Sequence, residues 1–304
     1  MKTLTACLLA VHLTRFGSLA ADDSPPPAPE TVLATVGDHA ITEADFQLFA
    51  LIHNFSRDHQ PPVRDKLLDQ LIESQLIRQA LKRHKFQADR EELDAGIARI
   101  EDFIRQRKDD PDVVLKRLGL TRAALEDQLG LPLAWNAYVR SAVTDEQIED
   151  YFQKHQAELD GTQLRASQIL LKLKADPSEQ DVQQRRQELA ALRADIRDKK
   201  ISFADAAKKH SEAPSKNQGG DIGWFPFRGV MPAPFCDVAF ALKPGEISDP
   251  VVSPYGVALI QVTDRRPGEF TLDDVRRDVI KQLGRQLWHD TAATERRQTN
   301  ITRR

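Results

Sequence analysis

The sequence predicts an α+β fold in which a helical unit, built from an N-terminal segment and a returning C-terminal helix, carries an inserted α+β domain. Three observations lead there. Apolar residues recur at helical spacing from about Thr42 to Gln156. After Gly161 the texture changes, and strand-like runs alternate with shorter helices. Beyond Gly268 one amphipathic helix returns, and its apolar stripe has to be buried somewhere. At 304 residues the chain is longer than one compact core usually organises, so two units are expected.

In chain order, residues 1–20 have the layout of a secretory signal peptide. Lys2 precedes an apolar run from Leu4 to Leu13, and small residues end at Ala20, where cleavage is expected. The run is too short to span a bilayer, so no integral membrane segment is expected after cleavage. Cys7 lies too early to be a lipid-modified cysteine, and Cys236 would then be the sole thiol of the mature chain. Residues 21–30, containing "DDSPPPAPE", read as an extended spacer. A helical domain spans residues 31–160. It opens with a short strand, a turn at Gly37-Asp38 and Thr42 as a helix N-cap. Val63, Leu67, Leu71 and Leu68, Ile72, Leu76 then recur at intervals of four. Asp89 with Glu92 has the spacing of a capping box, ahead of Leu93, Ile97, Ile100 and Ile104 on one face.

Residues 163–266 form the inserted domain. "QLRASQILLKLK" reads as a strand. The helix from Glu179 has Val182, Leu189, Leu192 and Ile196 on one side, and Ser202 caps a shorter helix. "ISDPVVS" and "GVALIQVTD" read as two short strands. In residues 267–304 the stripe Leu272, Val275, Val279, Leu283 and Leu287 is expected to pack on the helical domain, followed by a solvated, fraying basic tail, "ERRQTNITRR".

Charge narrows the function. Basic residues number 43 and acidic 46, which argues against a nucleic-acid partner. The eight histidines are scattered and the two cysteines far apart, so no metal or other cofactor is implied. His210-Ser211 has neither an evident carboxylate partner nor an oxyanion loop, which argues against a serine hydrolase. Cys236 on a short apolar helix reads as a small core residue.

The stretch "SKNQGGDIGWFPFRGVMPAPFCDVAFALKPGEISDP" fits no ordinary helix or strand. Its Gly219-Gly220-Asp221-Ile222-Gly223-Trp224-Phe225 run and its Phe240-to-Pro250 run, in this order, resemble parvulin-type (PpiC-type) peptidyl-prolyl isomerase domains. The likeness covers residues 163–266 and implies a four-stranded antiparallel sheet with helices. The "VGDHAITEADF" start and the returning helix resemble SurA- and PrsA-like exported foldases, whose helical domain acts as a chaperone. Rotation about an X-Pro bond faces a barrier near ~20 kcal/mol and breaks no bond, so a catalyst needs an apolar cup for the proline ring and a preorganised surround. The resemblance maps that cup onto Ile222, Met231 and Phe235, with Trp224 or Phe225 bordering.

The polar positions depart from the family pattern. Where active members carry a strand histidine this sequence has Gln168. Ala213 stands for their cysteine or aspartate and Ala258 for their second histidine, while Ser253 lies near their hydroxyl position. The resemblance implies an exported peptidyl-prolyl isomerase and foldase, periplasmic or in the cell envelope, acting on unfolded or nascent chains with X-Pro bonds. The substitutions leave a second reading open, a catalytically weak or inactive binding chaperone. The sequence permits a homodimer.

Overall fold

A computed structural model describes residues 30–52, 61–117 and 121–304. The leader and nearly all of the proline-rich spacer lie outside the described residues. Two strands come first, β1 (Val32–Val36) and β2 (His39–Thr42), then five helices: α1 (Glu43–Ile52), α2 (Pro61–Arg83), α3 (Arg90–Gln106), α4 (Pro111–Arg117) and α5 (Arg122–Ala142). Helices α6 (Asp145–Lys154) and α7 (Gln156–Leu159) lead into β3 (Gln163–Lys172), α8 (Glu179–Arg197) and α9 (Phe203–His210). A 3-10 turn (Pro214–Gln218) precedes β4 (Asp221–Pro226), α10 (Ala233–Ala241), β5 (Val251–Ser253) and β6 (Gly256–Arg266). The chain ends with α11 (Leu272–Gln298) and β7 (Ile301–Arg303). Among the described residues no helix is long and apolar enough to cross a membrane.

Two units divide the chain. The first takes in the described residues up to Thr144 together with Ile280–Arg304, the second Asp145–Val279. In the first, Thr42 caps α1 reciprocally with Asp45: the Asp45 amide donates to the Thr42 hydroxyl, and the Thr42 amide to the Asp45 carboxylate at 2.8 Å. Asp89 forms only half of the expected box, accepting from the Glu92 amide at 2.9 Å. Leu93, Ile97, Ile100 and Ile104 are all buried, as their spacing predicts. Of the C-terminal helix, the part from Ile280 on belongs to this unit, while Leu272, Val275 and Val279 of the expected stripe fall in the second. Ile280, Leu287, Trp288 and Ala292 of α11 pack with Ile77, Leu81, Trp135 and Val139, and the rings of Trp135 and Trp288 meet edge-on at 5.0 Å.

The basic tail does not fray, which corrects the expectation from charge. Ile301–Arg303 forms β7 antiparallel to β1, giving a three-stranded sheet in the order β2-β1-β7. Ile301 packs against the core that holds Ala34 and Val36. The hydroxyls of Thr302 and Thr35 lie 2.6 Å apart, the Gly37 amide donates to the Asn300 carbonyl at 2.8 Å, and Arg303 pairs with Asp69. A count of four arginines hid the period-two pattern of a strand: one side chain turns in, and the next faces solvent.

The second unit is a four-stranded antiparallel sheet in the order β4-β3-β6-β5. One face, with Ile169, Leu171, Val257 and Leu259, packs on α8 and α9 through Leu189, Ile196, Phe203 and Ala206. The opposite face, with Leu164, Ala166, Ile260 and Val262, packs on α10 through Phe235, Cys236, Ala239 and Phe240. The entry and exit of this sheet are stitched together. The Phe270 amide donates to the Asp160 carbonyl at 2.9 Å and the Gly268 amide to the Thr162 hydroxyl at 3.1 Å. A Cβ at Gly268 would stand 2.0 Å from the Asp160 carbonyl oxygen, so only glycine allows this approach.

Candidate active site

The quoted glycine-rich stretch is built to bring β4 against β3. Gly220 has φ +85°, and a Cβ there would fall 2.4 Å from the Gln168 carbonyl oxygen. Without one, the Gln168 amide donates to the Gly220 carbonyl at 2.9 Å, and the β3–β4 register shifts between Arg165 and Ser167. Asp221 then receives the Arg165 guanidinium at 2.6 Å and the Gly223 amide at 2.9 Å. The hydrogen bond from Arg165, followed by that amide, holds its carboxyl below the usual carboxylate range. Nearby, the Arg266 guanidinium lies 3.8 Å from the centre of the half-buried Trp224 ring.

After α9 the segment Ser211-Glu212-Ala213 takes over the edge of β3 that β4 leaves unpaired. The Ser211 hydroxyl accepts from the amides of Leu170 and Ala213 at 3.1 and 3.2 Å. The Glu212 amide donates to the Leu170 carbonyl at 2.7 Å, and the Lys172 amide to the Glu212 carboxylate at 2.7 Å. Ser211 is wholly buried and its hydroxyl serves the backbone, while His210 is exposed. Their neighbourhood in sequence is therefore structural. Cys236 is buried too, and desolvation together with Asp237 pushes its thiol up to about 11.

A cleft of about 570 Å³ opens where these pieces meet, lined by Gln168, Pro214, Ser215, Gln218, Asp221 and Ile222 with Gly223. Residues 169–264 match the family described as the PPIC-type PPIASE domain, and residues 2–139 the SurA-like N-terminal domain. The chain carries a PpiC-type domain and a SurA-like N-terminal domain. It is 33% identical over 153 residues to Foldase protein PrsA of Bacillus subtilis (50% of this chain, 45% of that protein). It is 28% identical over 265 residues to a probable parvulin-type peptidyl-prolyl cis-trans isomerase of Bordetella bronchiseptica (86% and 88%). It is 40% identical over 127 residues to Chaperone SurA of a Polaromonas species (41% and 26%). The chain thus spans under half the length of the PrsA and SurA relatives and most of the Bordetella one.

The four positions named from the resemblance lie on β3, β5, β6 and the segment after α9. Ala213 and Ala258, 5% and 1% exposed, pack with Leu170 in a small apolar cluster of their own. Gln168 lies two residues before Leu170 on the same strand face, half-buried in the cleft wall, and its side-chain amide has no partner among the described residues. Ser253 spends its hydroxyl in the β5–β6 turn, donating to the Gly256 carbonyl at 3.2 Å and accepting from the Tyr255 amide at 3.3 Å.

The apolar positions separate as well. Phe225 is a core residue and not a border of the cup. It is 1% exposed, with its ring edge-on to Phe235 and Phe240 at 5.8 and 6.2 Å. Phe235 is sealed in the same core at 2% exposure. Ile222 and Met231 stay half-buried and pack against that core, and Ile222 also lines the cleft. Sequence reasoning passed over Pro214, Ser215 and Gln218. The signal that could have found them is their place directly after Ala213, where the chain turns back toward the glycine pair.

Proposed function

We propose that the chain is a foldase of exported proteins, located in the periplasm or cell envelope, whose PpiC-type domain binds X-Pro segments of unfolded clients and isomerises them. The names of the relatives support the class, and one observation supports the place: Ile222 is shared by the open cleft and by the apolar core that holds Phe235 and supports Met231. A proline ring laid on Ile222 and Met231 would have Phe235 beneath it, and its preceding carbonyl would face the cleft. The SurA-like domain would bind apolar client segments.

A second reading is favoured by the Leu170–Ala213–Ala258 cluster. Groups that could respond to the rotating carbonyl are absent there, and each ~1.4 kcal/mol of lost transition-state stabilisation costs a factor of ten in rate. On that reading the domain holds prolyl segments without turning them over. The deciding measurement is the isomerisation rate of a proline tetrapeptide with the full chain and with Met231→Ala. Acceleration above buffer that Met231→Ala abolishes is the expected result. A rate equal to buffer, with the peptide still bound, would establish the second reading.

A further inference from the structure

One end of the first unit carries cations that the fold leaves unspent. Lys82, Arg83, His84 and Lys85 run through the end of α2, and all four are exposed. Arg296 and Arg297, exposed too, lie in the last turn of α11. An ion pair from Arg83 to the buried Glu295 joins the two helix ends. Lys82, Lys85 and Arg296 have no carboxylate partner among the described residues, and Arg297 reaches only the Thr294 hydroxyl, at 3.4 Å. The next acids along the chain from α2, Asp89, Glu91 and Glu92, open α3 and serve its N-terminus.

Basic side chains suit a helix C-terminus, so charge alone does not single this end out. At other helix ends such cations meet acids: Lys200, just after α8, pairs with Asp195 and Asp198, and Lys154 of α6 with Asp150. Lys208 and Lys209 at the end of α9 are unpaired as well, but among the described residues no ring contact accompanies them. At the α2–α11 end a ledge of rings does. Tyr138 of α5 stacks on His84 at 5.3 Å and meets Phe86 edge-on at 5.2 Å. Trp135 links Tyr138, at 5.3 Å, to Trp288 of α11, at 5.0 Å. Phe86, Tyr138 and Trp288 are only half-buried.

An anionic bilayer attracts each lysine or arginine brought near it, and Trp and Tyr rings settle at the level of its headgroups. Cations spread over two helix ends match a sheet of mobile charges, where a single phosphate would call for convergence. We propose that this end of the helical unit docks on the headgroups of an anionic lipid bilayer. Lys82, Lys85, Arg296 and Arg297 supply the attraction, and Tyr138 and Trp288 rest in the interfacial layer. The docking needs nothing from the PpiC-type domain, so it stands or falls apart from prolyl binding.

The test is flotation of the full chain with vesicles of phosphatidylcholine, alone or with about one third phosphatidylglycerol. The neutral vesicles measure what residues 1–20 contribute, a share common to all variants. Lys82→Gln with Lys85→Gln, and Arg296→Gln with Arg297→Gln, should each weaken binding to the anionic vesicles roughly tenfold. Lys208→Gln with Lys209→Gln should change it by less than about twofold. Melting midpoints should stay within about 3 °C of the wild type. Lys82→Arg with Lys85→Arg keeps the charge and should bind as the wild type does, whatever the glutamine pair does to folding. Equal binding to neutral and anionic vesicles overturns the proposal. So does an equal loss in the α9 pair, or a loss in the arginine pair. Displacement by millimolar glycerol phosphate would make the site one for a single phosphate. Displacement by polyglutamate that the glutamine pairs abolish would make it one for an acidic polypeptide. Either result refutes the bilayer.

Discussion

Two patches lie two residues apart on one face of β3 and have opposite character. At Leu170, Ala213 and Ala258 close an apolar cluster, and every backbone group that Ser211 and Glu212 meet is satisfied. At Gln168, half-buried in the cleft wall, the side-chain amide has no partner among the described residues. Where the family's polar side chains are missing, the surrounding backbone is sealed and nothing is left wanting. Where binding is proposed, the Gln168 amide stays unpartnered. On the proposed function, holding a client and turning it over would be separable demands on one strand.

The contrast can be broken hardest at the glycine that creates it. Gly220→Val puts a Cβ into the Gln168 carbonyl at a left-handed backbone position, and should cost about 3 kcal/mol or more in urea unfolding. A cost near zero would mean that β4 does not sit on β3 as described. Next is a matched pair. Ala258→Asn buries an amide in the apolar cluster and should cost about 2–3 kcal/mol. Gln168→Met, on the open patch, should change stability by no more than about 0.5 kcal/mol. Equal costs would erase the distinction between the patches.

The core beneath is probed by chemistry. With its thiol pushed up to about 11, Cys236 should be thiolate in only about one molecule in a thousand near pH 8. Peptide mapping after iodoacetamide should therefore find Cys236 unmodified in the native chain and modified after denaturation. Native labelling would show the core beside Phe235 to be open. The smallest effect belongs to Asp221. Its carboxyl is held below its ordinary value, so it stabilises the fold above its unfolded pKa, and that contribution is lost as pH falls through the folded value. The gap in melting temperature between wild type and Asp221→Asn should shrink as pH drops below about 4. A gap that stays constant would show that the ion pair with Arg165 adds nothing.

Much of this was legible because periodicity records burial. Leu93 to Ile104 on α3 and Leu189 and Ile196 on α8 follow from spacing alone, whereas of the stripe expected on α11 only Leu287 is among the residues that pack with Trp135. The β7 strand was missed because three residues carry too little pattern to outweigh four arginines, and its partner β1 lies more than two hundred residues away. Phe225 and Phe235 were placed at a surface cup by resemblance, and depth below a surface is not written in a motif. Ser215 was within reach of the sequence through its place just after Ala213, but that its hydroxyl is buried without a partner shows only once the neighbours are in place.

The stitching of Asp160 and Thr162 to Gly268 and Phe270 has a consequence for how such a chain can change over generations. Because the two ends of the sheet domain already touch, a single in-frame cut can remove everything between them, or copy it in series, without stretching what flanks it. The glycine at position 268 guards that junction: any side chain there would prise the two ends apart and turn a removable cassette into a strained detour.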